Sequence, residues 1–169
     1  MREVKMIKDN VIRGQAAEGK DRQFVVFKLG EELYGVEILQ VQTIERMLEL
    51  TAVPDAPEFV EGVTNLRGEV MPVIALRKRF GLPDAEQTDQ TRIITVNILE
   101  KQIGMIVDEA SEVVKVSKDA IEDPSQIVGG VKDTYLEGVA KLENRLLIIL
   151  DLRKVFREEE ISSLQEIEA

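Results

Sequence analysis

The chain has 169 residues, a formal net charge of -10, no cysteine and no histidine. That length suits one domain or two small ones, and the composition removes any disulfide framework, any thiolate chemistry, and the imidazole that most often serves as general base or metal ligand. The acidic balance argues against nucleic acid as a partner, and no apolar run approaches the ~20 residues of a membrane span, so no direct membrane insertion is expected.

Residues 1–22 mix charges with Gly14 and small residues without a sustained period. They are expected to form a mobile N-terminal tail. The opening "MREVKMIKDNVIRG" has no apolar h-region and does not read as a secretory signal, so the default address is the cytosol. The first ordered material is "QFVVFKLG". Phe24–Leu29 is a short apolar run, "GEE" supplies a turn, and Tyr34–Ile38 alternates, which together predict a hairpin. "VEILQVQTIERMLELTAVP" follows. Val36, Ile38, Val41 and Ile44 cannot all share one alternating face, so most are assigned to the core. Any left exposed on a barrel rim would form a docking patch.

"EGVTNLRGEVMPVIALRKRFG" predicts a second hairpin with Arg67-Gly68 at its tip and a short helical turn stopped by Gly81. Pro72 has no N–H to give a ladder and is expected on an edge strand or a bulge. After the polar connection "LPDAEQTDQT" the pattern recurs. "RIITVNILEKQIGMIVDE" repeats the first hairpin at an offset of 69, which places Phe24 on Ile93 and Gly35 on Gly104. Glu137–Phe156 repeats Glu61–Phe80 at an offset of 76, without a gap and with eight of twenty positions identical. Ordinary composition would give about one or two matches, so the chain is an internal duplication. The seven extra residues of the second copy are assigned to "SKDAIEDPSQIVGG".

Each copy offers short strands with close turn signals, most simply closed as a small barrel, because closure removes sheet edges. The expected organisation is a first barrel over about 24–83, a second over about 92–157, and a C-terminal helix over 158–169. The two tips differ. Gly68 and Asn144 occupy equivalent places and both tolerate positive φ, whereas Arg67 faces Glu143 in the alignment, and turn geometry does not account for that exchange. Arg67 admits two readings, a solvated loop charge or a protein-contact residue whose planar fork makes several bonds. Asn65 is either a side chain satisfying the local backbone or part of the same contact.

No catalytic constellation, cofactor site or metal site is read from the sequence. The acidic pairs Glu31-Glu32 and Asp108-Glu109 and the run Glu158–Glu160 lack calcium-loop or zinc spacing, and no phosphate-cradling glycine loop is present.

The stretches "FVVFKLGEELYGVEILQVQTI", "VPDAPEFVEGVTNLRGEVMPVIALRKRFGL" and "IGMIVDEASEVVKV" resemble the CheW coupling proteins of bacterial chemotaxis, over roughly residues 23–157. The resemblance implies a mainly β fold of two small five-stranded SH3-like barrels packed side by side, with short helices. It also implies a non-enzymatic adaptor without cofactors. Its partners would be the regulatory domain of a CheA-type histidine kinase and the cytoplasmic tip of a methyl-accepting chemoreceptor, with the adaptor cytoplasmic and recruited to membrane receptor arrays. On the family's pattern Val41, Asn65, Arg67 and Gly68 lie in partner-contact regions, and a receptor groove runs near Ile38, Thr43, Ile44, Ile93 and Val113. Thr43 stands where relatives often carry an acid, and Ala75 where they carry an Asp that the second copy keeps as Asp151. The alternatives are an adaptor of a related kinase array with another output, and a small-ligand-binding or enzymatic double barrel.

Overall fold

The computed structural model describes residues 21–123, 135–157 and 160. Among the described residues eleven strands run β1 Asp21–Leu29, β2 Glu32–Glu37, β3 Val41–Arg46, β4 Val60–Leu66, β5 Glu69–Ala75, β6 Arg92–Ile98, β7 Lys101–Val107, β8 Glu109–Ser117, β9 Ile121–Glu122, β10 Leu136–Leu142 and β11 Arg145–Leu150. Two one-turn helices, α1 Leu76–Arg79 and α2 Leu152–Val155, follow β5 and β11. A 3-10 turn, Ile38–Gln40, separates β2 from β3. Asp21 and Arg22, assigned to the tail from sequence, already belong to β1. The rest of the tail, and all of the expected C-terminal helix but Glu160, lie outside the described residues.

The strands form two sheets, in the order β8-β1-β2-β11-β10-β9 and β3-β6-β7-β5-β4. The duplication is confirmed strand by strand. Exchanging each residue for its counterpart, at an offset of 69 for the first hairpin with the strand after it and 76 for the second, converts Val25↔Val113 into Ile94↔Ile44, and Gly35↔Ile149 into Gly104↔Val73. The bridge Thr51↔Val63 has its counterpart in Glu122↔Val139. At that point the offset of the earlier member is 71 (122 minus 51). Two of the seven extra residues therefore precede Glu122 and five follow it.

The division into barrels departs from the expectation of one copy per barrel. The five-stranded sheet is continuous in sequence, from β3 to β7, and takes its β6–β7 hairpin from the second copy. The six-stranded sheet is built from what flanks it, β1–β2 and β8–β11. The chain crosses between sheets at Ile38–Gln40 and at Asp108. Because both copies carry the same apolar pattern, a hairpin satisfies the partner copy's strands as well as its own, and periodicity cannot choose between the two pairings.

Burial explains why the first strand of each hairpin reads as a continuous apolar run. Phe24 and Val26 fill the inner layer of the six-stranded sheet with Leu147 and Ile149, while Val25, Phe27 and Leu29 point the other way. Ile93 packs with Met71 and Val73 inside the five-stranded sheet, while Ile94, Val96 and Ile98 face outward. The outward sets meet in a layer shared by both sheets, which also holds Val36, Ile38 and Val41. The 3-10 turn resets the strand phase between Val36 and Val41, so both enter one layer. Gly62 and Gly138, at equivalent bulges, make room for the crossing bridge. A Cβ on Gly62 would stand 2.5 Å from the Thr51 carbonyl oxygen, and one on Gly138 would stand 2.8 Å from that of Glu122.

Pro72 corrects the edge-strand expectation. It sits on β5, an inner strand, one residue before the parallel ladder with β7, which begins at Val73. Its counterpart Ile148 pairs with Tyr34 inside the equivalent ladder, which begins at Leu147, the counterpart of Met71, so the missing N–H goes with a ladder that starts two residues later in the five-stranded sheet.

Candidate protein-docking face

The β4–β5 hairpin closes through Arg67-Gly68, with Leu66 opposite Glu69. Both turn residues have positive φ, 55° and 85°, the pattern of a type I′ turn that matches the twist of its strands. Asn65 Oδ1 accepts the Gly68 N–H at 2.9 Å, which fixes the tip from within. Arg67 is exposed and in the left-handed region, a conformation costing a non-glycine residue roughly 1–2 kcal/mol. Neither Glu143 nor Asn144 has positive φ. The expected equivalence of Gly68 and Asn144 is therefore a match of position but not of turn type.

A second turn of the same kind lies beside the first. Leu99 and Glu100, between β6 and β7, have φ of 52° and 66°. Because β5 runs parallel to β7 with Val73 beside Gly104, the start of β5 and the start of β7 share one end of the five-stranded sheet. That end carries Val70, 38% exposed, and Leu99, 40% exposed, two of the large apolar side chains left in solvent. A cleft of about 480 Å³ opens there between Gln42, Glu69, Asn97 and Glu100. Apolar anchors, an exposed Arg on a fixed turn and a rim of amides and carboxylates make a surface suited to another protein. Among the described residues no three acidic side chains cluster to hold a metal, and no helix is long and apolar enough to cross a membrane.

At the other crossing, Asp108 is clamped. Arg77 Nε donates to Oδ1 at 2.9 Å and Nη2 to Oδ2 at 2.5 Å, and the Gly30 N–H donates to Oδ2 at 2.7 Å. Partial burial pushes the Asp108 carboxyl upward, but the bonds from Arg77 and Gly30 outweigh it and hold the group below the usual carboxylate range. Arg77 also donates to the Pro83 carbonyl at 2.7 Å, tying the connection between copies to the same corner.

The model of the CheW-like domain matches residues 23–160. Among curated proteins, the chemotaxis protein CheW of Bacillus subtilis is 40% identical, with 83% of this chain and 90% of that protein covered. The CheW of Treponema pallidum is 35% identical, with 90% and 92% covered. The crystal structure of the scaffolding protein TtCheW from Thermoanaerobacter tengcongensis superposes with a TM-score of 0.75 at 40% identity, over 80% of this chain and 88% of that one.

The chain belongs to the CheW family. The residues that the family pattern nominates divide into three groups. Asn65, Arg67 and Gly68 are exposed and come together at the β4–β5 tip. Ile44 and Val113 are repeat counterparts, half-buried on β3 and β8, the edge strands of opposite sheets, and both pack against the shared layer. Ile38, Val41 and Ile93 are fully buried, and Thr43 is 6% exposed. Alternating pleats turn Val41, Thr43 and Ile93 into the core, and the 3-10 turn does so for Ile38, so a partner at these places would meet their neighbours. At Val41 it is the neighbouring Gln42 that faces solvent at the cleft. Sequence reasoning missed Leu99 and Val70. One signal for Leu99 was available, since the repeat alignment places it on Gly30, a turn position where leucine is costly.

Proposed function

We propose that this CheW-family chain is a non-enzymatic adaptor that couples chemoreceptors to a CheA-type histidine kinase, acting in the cytoplasm at membrane receptor arrays. The kinase regulatory domain meets the end of the five-stranded sheet, where the Arg67-Gly68 and Leu99-Glu100 turns stand side by side. The receptor tip meets the edges bearing Ile44 and Val113. The observation that carries this reading is the exposed Arg67, presented at the tip of a left-handed turn that Asn65 fixes and turned to solvent. Differential binding is the whole of such a protein's work, because an adaptor transmits a receptor's state only if its contacts differ between states.

The test is capture of the kinase regulatory domain and of a receptor tip by Arg67→Glu, beside its thermal melt. The expected result is kinase capture lowered by about tenfold or more, receptor capture retained, and an unchanged melt. Normal kinase capture would return Arg67 to an ordinary loop charge. The same change in reverse at the second tip, Glu143→Arg, is expected to leave both captures unaltered.

A further inference from the structure

Arg79, at the end of α1, occupies a position that its repeat counterpart does not reproduce, since an offset of 76 places it on Val155, which is fully buried in α2. The Arg79 side chain is 12% exposed and fully engaged. Its Nε donates to the Val155 carbonyl at 2.8 Å, so Arg79 bonds to its own counterpart. Its guanidinium lies 4.7 Å from the ring centroid of Phe59 and 5.6 Å from that of Tyr135, and these two are also counterparts at the same offset. A side chain that touches both members of a repeat pair, and its own equivalent, sits where the two copies meet. Phe156 closes the box at 5.9 Å, and Nη2 donates to Glu160 at 2.7 Å.

The apolar layer shared by the two sheets holds them together but is non-directional, and it resists separation more than rotation. The bonds of Arg79 are directional, and they run from the helix that follows β5 of the five-stranded sheet to the helix that follows β11 of the six-stranded one. We propose that Arg79 is a positioning residue that fixes the angle between the two sheets, and so the geometry of a receptor site whose edges, β3 and β8, lie on opposite sheets, relative to the kinase site at the end of the five-stranded one. The second clause rests on the adaptor reading above; the first does not.

The absence of cysteine allows a direct test. Spin labels are placed at Asn97→Cys on β6 and Lys141→Cys on β10, both exposed and one on each sheet, in the full chain with Arg79, Arg79→Met or Arg79→Lys. The distance distribution between labels is expected to widen by roughly twofold in Arg79→Met, with Arg79→Lys in between because it keeps the charge and loses the fork. In a reconstituted receptor–kinase assembly built with the unlabelled, cysteine-free chain, Arg79→Met is expected to retain each separate capture within about twofold while receptor control of the kinase falls about tenfold. A distribution as narrow in both variants as in the parent overturns the positioning role, whatever the assembly does. A widened distribution with no receptor control even in the parent upholds the positioning role and overturns the adaptor reading instead.

Discussion

At the residue scale, the structure keeps side chains where stability alone would not place them. Leu99 in a left-handed turn is a position where glycine costs nothing. Leu99→Gly is therefore expected to raise the unfolding free energy by about 1 kcal/mol, read as a higher urea midpoint, while weakening kinase capture. Thr43 and Thr95 face each other across β3 and β6 with buried hydroxyls that lack a partner. Thr43→Val and Thr95→Val each remove an unsatisfied group and are expected to stabilise by about 1 kcal/mol. A lowered midpoint in either would show that the hydroxyl has a partner that it does not reach here. The exposed tip, Asn65–Gly68, was legible in the sequence because turn chemistry is local. The core placement of Ile38 and Val41 was legible from their crowding of apolar residues, but the burial of Thr43 and Ile93 was not, because it depends on which face of which sheet each residue meets.

At the scale of elements, the crossing between β7 and β8 is held by the Asp108 carboxylate between Arg77 and the Gly30 N–H. Its folded-state pKa is depressed, so its contribution is fully present above the unfolded carboxylate value near 3.9 and is lost as pH falls through the lower folded value. Asp108→Asn is accordingly expected to melt several degrees below the parent at pH 7 and to converge with it as pH falls below the ordinary carboxylate range. A gap that persists at the lowest pH would assign the effect to hydrogen bonding alone. Hairpins and their turns were readable because each is made within one stretch of chain. The place of Pro72 was not. Its missing N–H marks a gap in a ladder, but a ladder can be interrupted on an inner strand as well as at an edge.

At the scale of the molecule, the repeat could be read from eight identities in twenty, yet which copy pairs with which could not, because the apolar pattern is the same in both. The exchange of hairpins has a measurable result. Cutting the chain in the connection near residue 88 gives two pieces that each carry one repeat, and neither contains a complete sheet. Each piece alone is expected to show little amide protection, while mixing or co-expressing them restores a stable complex. Two pieces that fold independently would contradict the strand order described here.

The continuity of the five-stranded sheet also sets an order of events on the ribosome. Val41–Val107 emerges as a unit that can complete its own ladders while the chain is still being made. The β1–β2 hairpin, although synthesised first, must wait until β8 and β11 have left the exit tunnel, and it spends that interval with both flanks open. The first of the described strands to be translated thus wait for the last ones, and a nascent chain paused before Glu109 presents Phe24–Leu29 as an apolar strand open to whatever lies nearby.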